Sequence, residues 1–149
     1  MDINEERLAF SRTWVQTDHT IHAGEDPKKQ VAAMTSGDFP TVVFDATGNV
    51  QSMNGAFELA AHGGTLVFVG LVKSDIVFHD PEFHKRELTL LSSRNATRQD
   101  FEHVMETVGR GTIDVERYVT HRATLDNLVH EFDRWLMPES KVIKAMVEL

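Results

Sequence analysis

The sequence predicts an α/β fold, a parallel sheet of apolar strands with helices on its flanks. Two observations carry this. Short runs rich in β-branched and aromatic residues alternate with runs whose apolar residues recur every three to four positions, the pattern of strands joined by helices. The strand-like runs TVVFDA, TLVFVGL and LTLLSS are apolar along most of their length, as buried strands are. No repeat, low-complexity stretch or linker interrupts the 149 residues, and 41% of them are hydrophobic, enough for one ordinary domain with a core.

Each element has a local reason. NEERLAFSRTW begins with a capping Asn and two acids in the first turn, which predicts a helix from Asn4 to about Trp14. DHTIHA is short enough to be a strand, and DPKKQVAAM enters a helix through Asp-Pro. TVVFDA ends in a turn at Gly48-Asn49. SMNGAFELAAHGG predicts a helix closed by Gly63-Gly64, after which TLVFVGL is the second strand. In VKSDIVFHDPEFHKRE, the DIVF stretch predicts a short edge strand and Asp80-Pro81 a helical turn. LTLLSS follows as the third strand. TRQDFEHVMETVGRG has Thr97 as cap, Phe101, Val104, Met105 and Val108 at helical spacing, and Gly111 as stop. RYVTHR is expected to be extended and TLDNLVHEFDRWL to be an amphipathic helix. Pro138 breaks that helix before a final strand in KVIKAMVEL.

Charge narrows the function. A net charge of −8 and a pI near 5.4 leave no basic footprint for a nucleic acid partner. No apolar run approaches the ~18 residues needed to cross a bilayer, so no membrane partner is expected and the cytoplasm is the expected compartment. Zero cysteines exclude disulfides and thiolate metal sites within these residues. The eight histidines lack ligand spacing: His19 and His22 would face opposite sides of a strand, and His79 and His84 flank an Asp-Pro turn. No GxSxG elbow is present for hydrolase chemistry.

In sheets of this kind ligands bind at the carboxyl ends of the strands, where small residues let backbone approach a cofactor. Ala46, Thr47 and Gly48 leave the first strand, Val69, Gly70 and Leu71 the second, and Ser92, Ser93, Arg94 and Asn95 the third. A flat ring has room over such exits; equally, Gly48 and Gly70 are compatible with tight turns alone. Asp2 also has two readings, as an acid that binds ribose hydroxyls and repels a 2′-phosphate, or as a solvated acid near a helix start. Arg7, one turn into that helix, either reaches the same ribose or is a surface arginine.

Taken together, DINEERL, VVFDATGN, HGGTLVFVGL, DPEFHKRELTLLSSRNAT and KVIKAMVEL resemble the carboxyl-terminal part of a zinc-type, medium-chain alcohol dehydrogenase. The resemblance covers essentially the whole chain. HGGTLVFVGL and EFHKRELTLLSSRNAT are its most specific stretches and are closest to the polyol and sugar-acid branch. It implies an incomplete Rossmann-type sheet, with the first strand and most of the second missing, and a cofactor, NAD. By position, Asp2 matches the family's ribose-binding acid and Arg7 the basic residue beside the adenosine. Ala46 and Thr47 match residues lining the nicotinamide side, and Val69 and Leu71 those whose backbone holds the carboxamide. Ser92, Arg94 and Asn95 match the strand end near the nicotinamide and the neighbouring subunit, and Lys144 a basic position near the pyrophosphate.

The departures are equally specific. The glycine-rich GxGxxG loop is absent, as are the Cys, His and Glu that hold catalytic zinc in the full-length family. The expectation is therefore a dehydrogenase fragment. Residues 1–149 would be the later part of the dinucleotide-binding domain, with about 118–149 returning toward a catalytic domain. The parent would be a homo-oligomer oxidising a polyol or sugar acid, and the fragment alone would be inactive. TVVFDA, TLVFVGL and LTLLSS should keep their parallel pairing, DHTIHA should be displaced or irregular, and the LTLLSS end should supply a dimer edge. A non-enzymatic oligomerisation module is the alternative, and a methyltransferase-like domain leaves FVGL, SSRN and VIKAMVEL unexplained.

Overall fold

Asn4 opens the first helix by accepting the backbone N–H groups of Glu6 and Arg7 at 2.9 and 3.1 Å, two of the donors that a helix start leaves without partners. That helix, α1, spans Glu5–Trp14. The computed structural model describes residues 1–149. It continues with α2 (Pro27–Met34), β1 (Val42–Asp45), α3 (Val50–Ala56), β2 (Thr65–Phe68), α4 (Asp80–Lys85) and β3 (Thr89–Ser92). Then come α5 (Arg98–Gly109), α6 (Val115–Tyr118), β4 (His121–Thr124), α7 (Leu128–Trp135) and β5 (Ala145–Glu148). These elements form two packed units, one from Asp26–Asn95 and the other from Met1–Glu25 with Ala96–Leu149.

In the 26–95 unit β1, β2 and β3 make a three-stranded sheet in that order, all parallel, as the sequence predicts. The register pairs Val43 with Leu66 and Leu66 with Leu90, then Asp45 with Phe68 and Phe68 with Ser92. Leu66 is fully buried and forms one core with Phe68, Met53, Ala56 and Phe57, against which Val43, Val72, Ile76 and Phe83 pack. Only this face is sealed. On the other, Phe44 is 69% and Leu91 51% exposed, so uniformly buried strands are not what forms.

Two further expectations fail here. The helix expected to run to Gly63-Gly64 ends at Ala56, because the following amides find other acceptors. Glu58 and Leu59 N–H bond Gly55 and Ala56 carbonyls in tight turns, Ala61 N–H bonds Pro40, and Gly63 N–H bonds Arg86. The DIVF edge strand does not form either, since 75–78 is irregular. Val77 N–H is taken by Asn54 Oδ1 at 2.9 Å, and the Phe78 ring stacks on Phe57 and tilts against Phe83.

The other unit is tied together around Trp14. Its ring stacks between Phe10 and Tyr118, its Nε1–H donates to the Asp114 carbonyl at 2.8 Å, and the Arg117 guanidinium donates to Thr13 O and Oγ1. β4 and β5 pair in parallel, and Arg122 joins Glu116 to Glu148 across them at 3.2 and 3.0 Å. RYVTHR is divided: Tyr118 closes α6 and His121 opens β4. DHTIHA is indeed irregular, making a single parallel bridge from His22 to Asp2.

Helix α5 carries a complete capping box. Thr97 N–H and Oγ1–H both donate to Asp100 Oδ2 at 2.7 Å, and Asp100 N–H returns to Thr97 Oγ1. These bonds, from the Thr97 backbone first and its hydroxyl second, hold the Asp100 carboxyl below its ordinary value, and His103 acts in the same direction. The stabilisation is therefore present above the usual carboxylate range and is lost as pH falls through the lowered folded value. We expect the Thr97 amide resonance to titrate with a midpoint below that of an unstructured aspartate, and to stop titrating there in Asp100→Asn. A midpoint at or above the ordinary value would contradict the capping box.

Candidate functional site

Because β1, β2 and β3 run in the same direction and in register, their carboxyl ends finish level, with Asp45, Phe68 and Ser92 as neighbours across the sheet. Backbone bonds continue past the strands. The Asp45 carbonyl accepts Val69 N–H at 2.8 Å and Gly70 N–H at 3.0 Å, and the Phe68 carbonyl accepts Ser93 N–H at 2.9 Å. The sheet thus delivers three short segments side by side: Ala46–Thr47, Val69–Leu71, and Ser92 with Arg94 and Asn95.

The first two segments are pressed together through glycines. A Cβ on Gly70 would lie 2.4 Å from Gly48 N and 3.0 Å from Gly48 Cα, which are backbone atoms that cannot swing away. Gly48 has φ +60°, the left-handed region, and a Cβ there would lie 3.2 Å from the Leu71 carbonyl oxygen. Both glycines hold one strand exit against the next.

Beneath this contact lies Asp45, 5% exposed and the one buried charged residue in the chain. A buried carboxylate is costly unless hydrogen bonds replace its water. Here Oδ1 accepts the Thr47 backbone N–H at 2.9 Å and the Thr47 hydroxyl at 2.7 Å, while Oδ2 accepts the Ser52 hydroxyl at 2.7 Å. Thr47 Oγ1 in turn accepts Asn49 N–H at 3.1 Å, and Asn49 Oδ1 caps α3 by accepting Gln51 and Ser52 N–H. One carboxylate therefore connects the strand end, the loop and the helix. Sequence reasoning missed Asp45; the Asp-x-Thr spacing before a Gly-Asn turn, a side chain bonding the backbone two residues on, is the signal that would have found it.

The remaining candidates are placed as follows. Ala46, Thr47, Val69, Leu71, Ser92, Arg94 and Asn95 are exposed at the three exits, Leu71 to 87%. Asp2, Arg7 and Lys144 belong to the other unit. Asp2 is half-buried and its Oδ1 accepts Asn4 N–H at 2.9 Å, which leaves Oδ2 unengaged. Arg7 and Lys144 are exposed. The exits present apolar surface from Val69 and Leu71, a small residue at Ala46 and polar atoms at Thr47, a surface on which a flat polar ring can lie. The donor set does not fit zinc: with no cysteine and no group of three His, Asp or Glu side chains able to hold a metal ion, no chemistry here is assigned to one.

The glycines give a paired test. Gly70→Ala meets backbone and should destabilise the chain by about 1–3 kcal/mol, the usual range for overpacking. Gly55→Ala, inside α3 with nothing within 4 Å of the new Cβ, should stabilise it by about 0.4–1 kcal/mol. Urea unfolding midpoints that shift in the same direction for both variants would contradict this account of the loop contact.

Comparison with known proteins agrees with the geometry. Residues 1–110 match the family of zinc-binding dehydrogenases. The chain is 40% identical over 125 residues to L-galactonate-5-dehydrogenase of Escherichia coli K12, an alignment covering 84% of this chain and 37% of that protein. It is 28% identical over 152 residues to L-arabinitol 4-dehydrogenase of Hypocrea jecorina, covering 99% of this chain and 40% of that one. Among solved structures, an alcohol dehydrogenase of Escherichia coli CFT073 complexed with NADH superposes with a TM-score of 0.87 at 21% identity, covering 99% of this chain and 43% of that chain. A dehydrogenase of Sinorhizobium meliloti 1021 bound to NADP superposes with a TM-score of 0.76 at 19% identity, covering 87% and 38%. The chain spans about two fifths of the length of the curated relatives it matches. With three parallel strands ending level, a Rossmann-type fold and a family match over most of its length, the chain belongs to the zinc-binding dehydrogenase family.

Proposed function

We propose that this chain forms the nicotinamide-binding part of an NAD-dependent dehydrogenase that oxidises a secondary alcohol of a polyol or sugar acid. The observation that carries the reading is the alignment of the three strand exits, with Thr47, Val69, Leu71 and Asn95 exposed on them. The ring would lie over Ala46 and Thr47 with its carboxamide toward the Val69–Leu71 backbone. Ser92, Arg94 and Asn95 would border it, and Gly70 contributes by keeping the exits close. The names of the relatives, a galactonate and an arabinitol dehydrogenase, support the substrate class.

In this reading Asp2 accepts the adenosine ribose hydroxyls through the oxygen that Asn4 leaves unengaged and repels a 2′-phosphate, so NAD is preferred to NADP. Arg7 lies beside the adenosine and Lys144 near the pyrophosphate. Catalytic zinc and the groups that handle the substrate are supplied outside these residues, with residues about 118–149 directed toward them. The cytoplasmic enzyme is a homo-oligomer that associates along the β3 edge. Hydride transfer needs ring and alcohol carbon held near ~3–3.5 Å, and nothing here positions the alcohol, so the 149 residues alone should not turn over.

Equilibrium titration of the purified chain with NADH and NADPH, followed by nicotinamide fluorescence, tests this. NADH should bind more tightly, and Asp2→Ala should weaken NADH while narrowing the difference. Equal or tighter binding of NADPH to the unmodified chain would refute the role of Asp2, and alcohol-dependent NADH formation would refute the absence of turnover.

A further inference from the structure

Thr47 has a hydrogen-bonding polarity that its neighbours fix. A threonine hydroxyl carries one proton and two lone pairs. The proton is given to Asp45 Oδ1 at 2.7 Å, and one lone pair takes Asn49 N–H at 3.1 Å. Thr47 cannot turn that proton elsewhere without depriving Asp45 of a partner it needs, because the buried carboxylate accepts only from the Thr47 and Ser52 side chains and the Thr47 backbone. One lone pair on an exposed side chain is left, at the exit of β1. Toward a ligand, this hydroxyl accepts and does not donate.

We propose that Thr47, held by Asp45 as its positioning residue, selects for a hydrogen-bond donor on the nicotinamide half of the dinucleotide. The inference rests on the reading above that this half lies at the strand exits. The donor is a carboxamide N–H or a nicotinamide-ribose hydroxyl, and a group that only accepts meets the lone pair with repulsion instead of a bond. Rotating the hydroxyl to suit such a group would strip Asp45 of its 2.7 Å partner, so the site pays for the mismatch twice.

The test is calorimetric titration of the purified chain with NAD, with the analogue in which an acetyl group replaces the carboxamide, and with the analogue lacking the 2′-hydroxyl of the nicotinamide ribose. The chain as it stands should bind NAD about fivefold to tenfold more tightly than one of the two analogues, the size of a single hydrogen bond, and the analogue that loses identifies the donor. Thr47→Val should reduce that ratio to within about twofold, while Thr47→Ser, which keeps the hydroxyl and its bond to Asp45, should preserve it. A ratio unchanged in Thr47→Val, or equal binding of all three ligands to the unmodified chain, overturns the proposal and leaves nicotinamide binding intact. Failure of the unmodified chain to bind any of the three overturns both. The unmodified chain is measured first, so equal binding of the three ligands overturns the proposal even if Thr47→Val does not fold.

Discussion

The absence of a side chain at Gly70 sets the shape of everything above the sheet. Backbone meets backbone there, with the second strand exit lying against the Gly48 amide so closely that even a methyl group would collide at 2.4 Å. Once the two exits are fixed to each other, the Asp45 carbonyl can take both Val69 and Gly70 N–H, and the short segment to Leu71 has little freedom. The surface that results is narrow and is built mostly from main chain. A side chain at either glycine would force the two exits apart.

Below that contact, polarity is arranged with the same economy. Asp45 stands at the border between an apolar core of Leu66, Phe68, Met53 and Phe57 and an exposed loop, a place where an unpaired carboxylate would be strongly unfavourable. Each oxygen is satisfied by a loop or helix group, so the carboxylate converts burial into loop order. Rigidity of this kind matters in a binding surface, since residues already held in place lose less freedom when a ligand arrives. The opposite face of the sheet follows a different logic. Phe44 and Leu91 stand open there, apolar surface with no helix of the same unit sealing it.

Much of this was legible in the residues. Helix starts at Asn4, Asp26 and Thr97 were, because a cap is a local affair that bonds amides two or three residues ahead, whereas Asn49, expected in a turn, proves to cap α3. The three parallel strands were legible from their apolar runs, and DHTIHA, expected to be displaced or irregular, makes only a single bridge, to Asp2. The end of α3 was not, because its amides are claimed by Pro40 and Arg86, residues distant in sequence. DIVF has strand composition, yet Asn54 takes its amide and the Phe57 and Phe83 rings take its aromatic side chain. The positions at the strand ends were predictable from topology alone, whereas the role of Asp45, just past the apolar run that ends at Phe44, was not. Its importance comes from being buried, and burial is a property of the folded chain.

The central claim is that the level strand exits form the ligand surface, and amide chemical-shift mapping with NAD tests it most directly. The perturbed amides should be those of Thr47, Val69, Leu71 and Asn95. The account would be contradicted if those amides stayed still while shifts gathered in the aromatic concavity of about 520 Å³ lined by Phe57, Phe78 and Phe83.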